Sequence, residues 1–221
     1  MLETERILLR PWRESDAAIL FRWASDPLVG PRAGWPPHKS EQESLEVIRT
    51  VFSGPTNWAI VLKGEGLATA GVLEGMVVGA IGYGPACDCA LPARDGEPIC
   101  GYWVARPYWN RGICTEALRL MIDHIRSGNG ATLPTAHDEI SLATNAGTSP
   151  AACDAQVKES YAKDHSLSSP IKSLISGHFV DNPASGRVME KCGFVPTGET
   201  VIDPGQFQGA DRPIRVLRLE L

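Results

Sequence analysis

No stretch of the 221-residue sequence approaches the roughly 20 apolar residues of a membrane span, so no membrane contact is expected. Positive charge is not in excess: 21 Lys and Arg stand against 26 Asp and Glu, for a net charge of −5 and a pI near 5.6. A general nucleic-acid binder needs a basic footprint, and that class is excluded. The opening MLETERILLRPW carries charges where a signal peptide would carry an apolar run. Six cysteines without a secretory context then read as reduced thiols in the cytoplasm. Cys87-x-Cys89 has no second CxxC or HxxxH beside it, so no metal is expected. GxGxxG and a repeated βαβ pattern are also missing, which removes a dinucleotide-binding sheet. There is no internal repeat.

What is present is a mixed pattern with 43% apolar residues, enough for a sizeable core. Arg6 to Trp12 reads as a short strand, and Glu14 to Ala24 as a helix ended by Asp26-Pro27. Leu28 to Lys39, dense in Pro and Gly, reads as loop. Ser40 followed by Glu43 is a capping-box pattern that opens a helix through about Val51. Trp58 to Leu62 and Met76 to Tyr83 read as strands, and Pro85 to Pro98 as loop. Gly101 to Arg106 is a strand, and Ile113 to about Arg126 a helix. Leu174 to Val180 is a strand, Pro183 to Cys192 a helix, and Phe194 to Val201 and Ile214 to Leu221 are strands. The order β-α-α-β-β-β-α-insertion-β-α-β-β predicts an α/β (α+β) fold, with helices on a largely antiparallel sheet. The expectation is a single domain over residues 1–221 with an insertion at about 127–172. The insertion is polar and poor in large apolar residues, and a helix over Ala151 to about Lys163 is expected within it, opened by Ser149-Pro150.

Two segments carry chemistry. GYWVARPYWNRGICTEAL, from Gly101 to Leu118, passes from strand to helix through a tight turn with Gly112 at the corner. Amides gathered at a helix N-terminus form an anion site, and Arg111 adds a charge that can pair with phosphate. The plainer reading is a helix cap in which Gly112 serves only backbone geometry. DNPASGRVMEKCGF, from Asp181 to Phe194, is a strand end, a short helix and the start of another strand. Together with LETERILLRPWRESD at the start, these segments resemble the GNAT superfamily of acetyl-CoA-dependent N-acetyltransferases. Within it they resemble the ribosomal-protein (RimJ/RimL-like) branch. The pieces stand in the family's order and span the chain except for the insertion.

The resemblance implies the GNAT fold, with acetyl-CoA as co-substrate and no metal. It implies that Trp109, Asn110, Arg111, Gly112, Ile113, Cys114 and Thr115 hold the coenzyme diphosphate, with Trp109 standing where the family has Gln or Arg. The strand holding Trp103 and Val104 should splay from the Leu174–Val180 strand. The pantetheine arm should pair with its backbone, and an amide at Trp103 or Val104 should polarise the thioester carbonyl. Asn182 should contact the pantetheine from the far side. Met189 aligns with the tyrosine acid of many members, which leaves Ser185 to stabilise the leaving thiolate or simply to cap its helix.

Glu97 heads the candidate bases, with His178, Asp95 and Glu74 beside it. An α-amino acceptor, with a pKa near ~8, would scarcely need a base. The Trp35-Pro36-Pro37-His38 loop reads either as acceptor-cleft lining or as a stiff surface loop. Gly186, inside a helix, suggests a close approach to the coenzyme. The expected function is acetyl transfer to a primary amine, either a protein N-terminus or a small-molecule amine, by a monomer or homodimer. A non-catalytic acyl-CoA-binding regulatory module is the alternative.

Overall fold

The structure is a computed structural model describing residues 1–64, 75–86, 91–128, 170–203 and 211–221. Cys87, Cys89, Glu74 and the expected 151–163 helix lie outside the described residues. Eight strands form one sheet: β1 (Leu2–Glu3), β2 (Ile7–Arg10), β3 (Asn57–Leu62), β4 (Met76–Gly84), β5 (Ile99–Val104), β6 (Ser173–Phe179), β7 (Val195–Asp203) and β8 (Arg212–Glu220). Their order is β1-β2-β3-β4-β5-β6-β8-β7, and every neighbouring pair is antiparallel except β5 and β6. Among the described residues the helices are α1 (Ala17–Ala24), α2 (Gly30–Ala33), α3 (Glu41–Thr50), α4 (Ile113–Arg126) and α5 (Pro183–Lys191), with short 3-10 turns at Glu14–Asp16 and Arg106–Tyr108.

The sheet is covered on both faces, which is why β3 and β4 are almost continuously apolar and buried. On one face α4 sets Ile113, Leu118, Met121 and Ile122 against Ile7, Leu9, Ile60 and Ile81. On the other, Leu20 and Trp23 of α1 and Ile48 of α3 cover Ala59, Val61, Val77 and Trp103.

The motif near the N-terminus acts through two arginines. Arg6 pairs with Glu116 in the first turn of α4 and also donates to the Arg111 carbonyl, which ties β2 to the Gly112 corner. Arg10, inside the fold, holds Asp16 with two parallel bonds of 2.7 and 2.8 Å. Ser40 caps α3 by accepting from Glu43 N at 3.1 Å. The Glu43 carboxylate reaches Lys39 N at 2.6 Å, one residue before the position the capping box predicts.

The segment expected to be loop from Leu28 to Lys39 contains the four-residue helix α2. Two carbonyls of α2 are satisfied from the other half of the sheet: Arg212 Nη1 donates to Pro31 O at 2.7 Å and Asn182 Nδ2 to Arg32 O at 3.1 Å. Orphan carbonyls of so short a helix need partners, and these are tertiary ones.

Candidate active site

The parallel pair β5 and β6 meets in register only at Ile99 and Ile175, and beyond that point the strands part. Ile175 N still donates to Pro98 O, and Ser176 Oγ bridges to Cys100 O at 2.8 Å. A cleft of 390 Å³ opens at the splay, lined from β5, β6, α2, the Gly112 turn and α5. That volume suits a ligand of cofactor size.

Strand alternation decides which backbone groups face the gap. Ala105 N donates to Val78 O on β4, so the amides of 103 and 101 point the same way. The Cys100 carbonyl already turns to β6, and 102 and 104 share its side. Of the two amides considered from sequence, Val104 therefore faces the cleft and Trp103 does not. Trp103 still lines the cleft, while its ring packs edge-on to Trp35 at 5.7 Å within the α1–α3 layer. The Val104 carbonyl receives the Trp109 indole N–H at 2.6 Å.

At the corner, Asn110 and Gly112 both take positive φ, 60° and 78°, turning the chain into α4 within three residues of Trp109. A Cβ at Gly112 would meet nothing nearer than Arg6 Nη2 at 3.7 Å. The backbone conformation calls for glycine there, and the protein leaves the space beside it open. Trp109, Asn110, Gly112, Ile113, Cys114 and Thr115 line the cleft. Arg111 is outside that lining, with its guanidinium 5.6 Å from the Tyr108 ring centroid. Burial pushes the Cys114 thiol up to about 12, with Cys192 nearby adding to the rise. Cys114 therefore stays a neutral thiol rather than a nucleophile.

Ser185 projects into the cleft from the first turn of α5 and caps nothing. Its Oγ lies 3.1 Å from the Tyr102 phenol oxygen, and Tyr102 also donates to the Ser185 carbonyl at 2.8 Å. Asn182 lines the cleft too, with one amide N–H given to α2. Met189 is 1% exposed, packed in the core at the edge of the cleft, and its thioether has no proton to transfer.

Glu97 does not belong to the site. It is 4% exposed and absent from the cleft lining. Arg218 Nε donates to its carboxylate at 2.7 Å and Arg94 N at 2.9 Å. Burial works to raise its pKa, but these bonds, one with Ser173 and the Arg218 charge outweigh it and hold the carboxyl below its ordinary value. A carboxylate so engaged is a structural anchor, and it falls as the candidate base. Asp95 is likewise not in the lining. His178 lines the cleft, but its Nδ1 is 2.8 Å from Phe179 O and its ring lies against α5. Among the described lining residues there is no Asp or Glu. From the Trp35–His38 loop nothing reaches the lining either, and His38 bonds Ser44 within the α1–α3 layer. Val29, Arg32 and Ala33, in and beside α2, line that side instead.

The glycine inside α5 has its explanation here. A Cβ on Gly186 would stand 2.5 Å from His178 Nε2, so the imidazole is a close neighbour that requires glycine there. Alanine would favour the helix by ~1 kcal/mol, but the ring is anchored at Phe179. Gly186→Ala is expected to destabilise the fold by about 1–3 kcal/mol through overpacking. Urea denaturation checks this, and a variant more stable than the parent would mean that the ring simply swings aside.

Residues 6–195 match the family described as Acetyltransferase (GNAT) domain, and the chain belongs to that family. A curated relative, the "Uncharacterized N-acetyltransferase p20" of Bacillus licheniformis, is 25% identical over 128 residues. That alignment takes in 56% of this chain and 64% of the relative, less than two thirds of its length. Among solved structures, the spermidine N-acetyltransferase from Vibrio cholerae in complex with CoA and spermine is similar with a TM-score of 0.61 at 10% identity, covering 98% of this chain and 96% of that one. The ribosomal-protein-S5-alanine acetyltransferase from Vibrio fischeri is similar with a TM-score of 0.57 at 14% identity, covering 99% and 94%. These likenesses establish the GNAT fold, an eight-stranded mixed sheet flanked by helices. Among the described residues no helix is long and apolar enough to cross a membrane.

Proposed function

We propose that the protein transfers the acetyl group of acetyl-CoA to an amine by direct attack, and that the preferred acceptor is an α-amino group. The observation that carries this is the β5/β6 splay leading from the Gly112 turn, with the Val104 amide facing the gap. Amides at the start of α4 suit a diphosphate, and the exposed backbone of β5 suits an extended pantetheine arm. The neutral amine nitrogen forms the C–N bond, and the C–S bond breaks with its electron pair going to sulfur. The surplus proton leaves the nitrogen for solvent or for the departing thiolate. Val104 N–H serves the developing oxyanion and Ser185 the thiolate.

The absence of any carboxylate from the described lining supports the acceptor class. Without a strong base, an amine with a pKa near ~8 has a neutral fraction at neutral pH that a lysine-like amine near ~10.4 lacks. The motifs shared with the RimJ/RimL-like branch point the same way, toward a protein N-terminus. A panel of peptides with free α-amines, small α-amines and polyamines, assayed with acetyl-CoA across pH, tests this. The α-amines should turn over at neutral pH and the polyamines only as pH rises. A preference for polyamines at pH 7 would overturn the acceptor assignment.

The Ser185 role has its own test. A hydrogen bond to a charged group is worth about 1.5–3 kcal/mol, so Ser185→Ala should lower kcat roughly 10- to 150-fold. Acetyl-CoA affinity should be unchanged. An unaltered kcat would reduce Ser185 to a bystander. Met189 in the acid's position favours a second reading, an acyl-CoA-binding module without turnover.

A further inference from the structure

One half-buried polar group in the cleft has no role in the chemistry above: the phenol of Tyr102. Its side chain stands on the α4–α5 side of β5, packed against the core there, and its hydroxyl meets α5 at a single residue. It lies 2.8 Å from Ser185 O and 3.1 Å from Ser185 Oγ, 83 positions apart in sequence. The first is an ordinary O–H···O length and the second a longer one, as when one proton is shared between two acceptors. The neighbouring helix position where a tyrosine acid could stand is filled by Met189, which has no proton to give.

We propose that Tyr102 is a positioning residue for Ser185: its phenol fixes the first turn of α5 through the Ser185 carbonyl and orients the Ser185 hydroxyl toward the departing thiolate. This rests on the reading of Ser185 as the thiolate's donor. During C–S cleavage the single phenol O–H is shared between the Ser185 carbonyl and Ser185 Oγ, which leaves the Ser185 O–H free to point to sulfur. Aligned donors of this kind polarise one another, so the serine is a better donor than it would be alone. No proton is transferred from the phenol: burial above all pushes its pKa well above the usual value for tyrosine, against a smaller opposing effect of the Ser185 hydrogen bond. Tyr102 therefore remains a donor throughout the working pH range.

The two bonds allow a clean separation of roles. Ser185→Ala removes Oγ but keeps the carbonyl, so Tyr102's structural contact survives in that background and its effect on the hydroxyl does not. Tyr102→Phe keeps the ring in its packing. The expected result is a kcat about tenfold lower, the value of one ordinary hydrogen bond, with acetyl-CoA affinity by calorimetry unchanged. In the Ser185→Ala background the same change should leave kcat where Ser185→Ala put it. The thermal midpoint should fall equally in both backgrounds, since the carbonyl bond is lost in each. An equal further loss of kcat in the Ser185→Ala background, or an unchanged kcat for Tyr102→Phe alone, overturns the inference. If Ser185→Ala costs turnover and Tyr102→Phe does not, only the Tyr102 inference falls. If Ser185→Ala costs nothing, both it and the Ser185 reading fall.

Discussion

Gly112→Glu is expected to abolish measurable acetyl-CoA binding while leaving a folded protein. Three effects act together at that corner. The residue holds φ at 78°, a conformation that costs a non-glycine residue roughly 1–2 kcal/mol. The new carboxylate would stand where the amides at the start of α4 and its dipole favour an anion, and would repel the diphosphate. Its bulk would also fill space that the protein leaves open beside the turn. The fold should survive, because Gly112 is exposed and α4 keeps its apolar face against β2 and β3. Calorimetric titration with acetyl-CoA, beside a circular dichroism spectrum, checks the expectation. A folded variant with undiminished affinity would remove the coenzyme from this turn.

The largest stability effect should come from breaking the Arg10–Asp16 pair. Their side chains are 7% and 9% exposed, and the carboxylate also accepts the Arg13 amide at 2.9 Å. Asp16→Ala would strand a buried guanidinium and leave that amide without its partner. Removing one member of a buried pair costs about 3–5 kcal/mol, a large share of the 5–15 kcal/mol typical of a domain. Replacing both by apolar residues, Arg10→Met with Asp16→Leu, should cost less than Asp16→Ala alone, because no buried charge is left behind. Denaturant titration of the three proteins decides it. A loss below about 1 kcal/mol for Asp16→Ala would show that water reaches the arginine.

How far the sequence reveals this molecule depends on the range of the interaction concerned. Periodicity and turn residues suffice for the strands and long helices: α4 was expected from Ile113 to about Arg126 and runs there. The splay between β5 and β6 follows from the family resemblance, and the single register pair at Ile99 and Ile175 agrees with it. Helix α2 could not be read, because GPRA looks like a breaker and the helix is held by Asn182 and Arg212 from 150 and 181 positions away. Glu97 looks like any carboxylate at a strand's start until Arg218, 121 positions on, is seen to hold it. Tyr102 is silent in the sequence, because alternation tells which face a strand residue takes but not what waits on that face. A tyrosine on the α5 side of β5 is the one signal the sequence offers. Gly186 shows in the sequence only as a glycine inside a helix, and its neighbour His178 on β6 comes from a distant strand.

The most direct measurement is release of free thiol from saturating acetyl-CoA, followed with and without an α-amine peptide, with the acetylated peptide identified by mass. Acetyl transfer through the β5/β6 cleft predicts amine-dependent thiol release matched one for one by acetylated peptide. Tight acetyl-CoA binding with no thiol release for any amine would contradict it, and would make the protein an acyl-CoA-binding module that does not turn over.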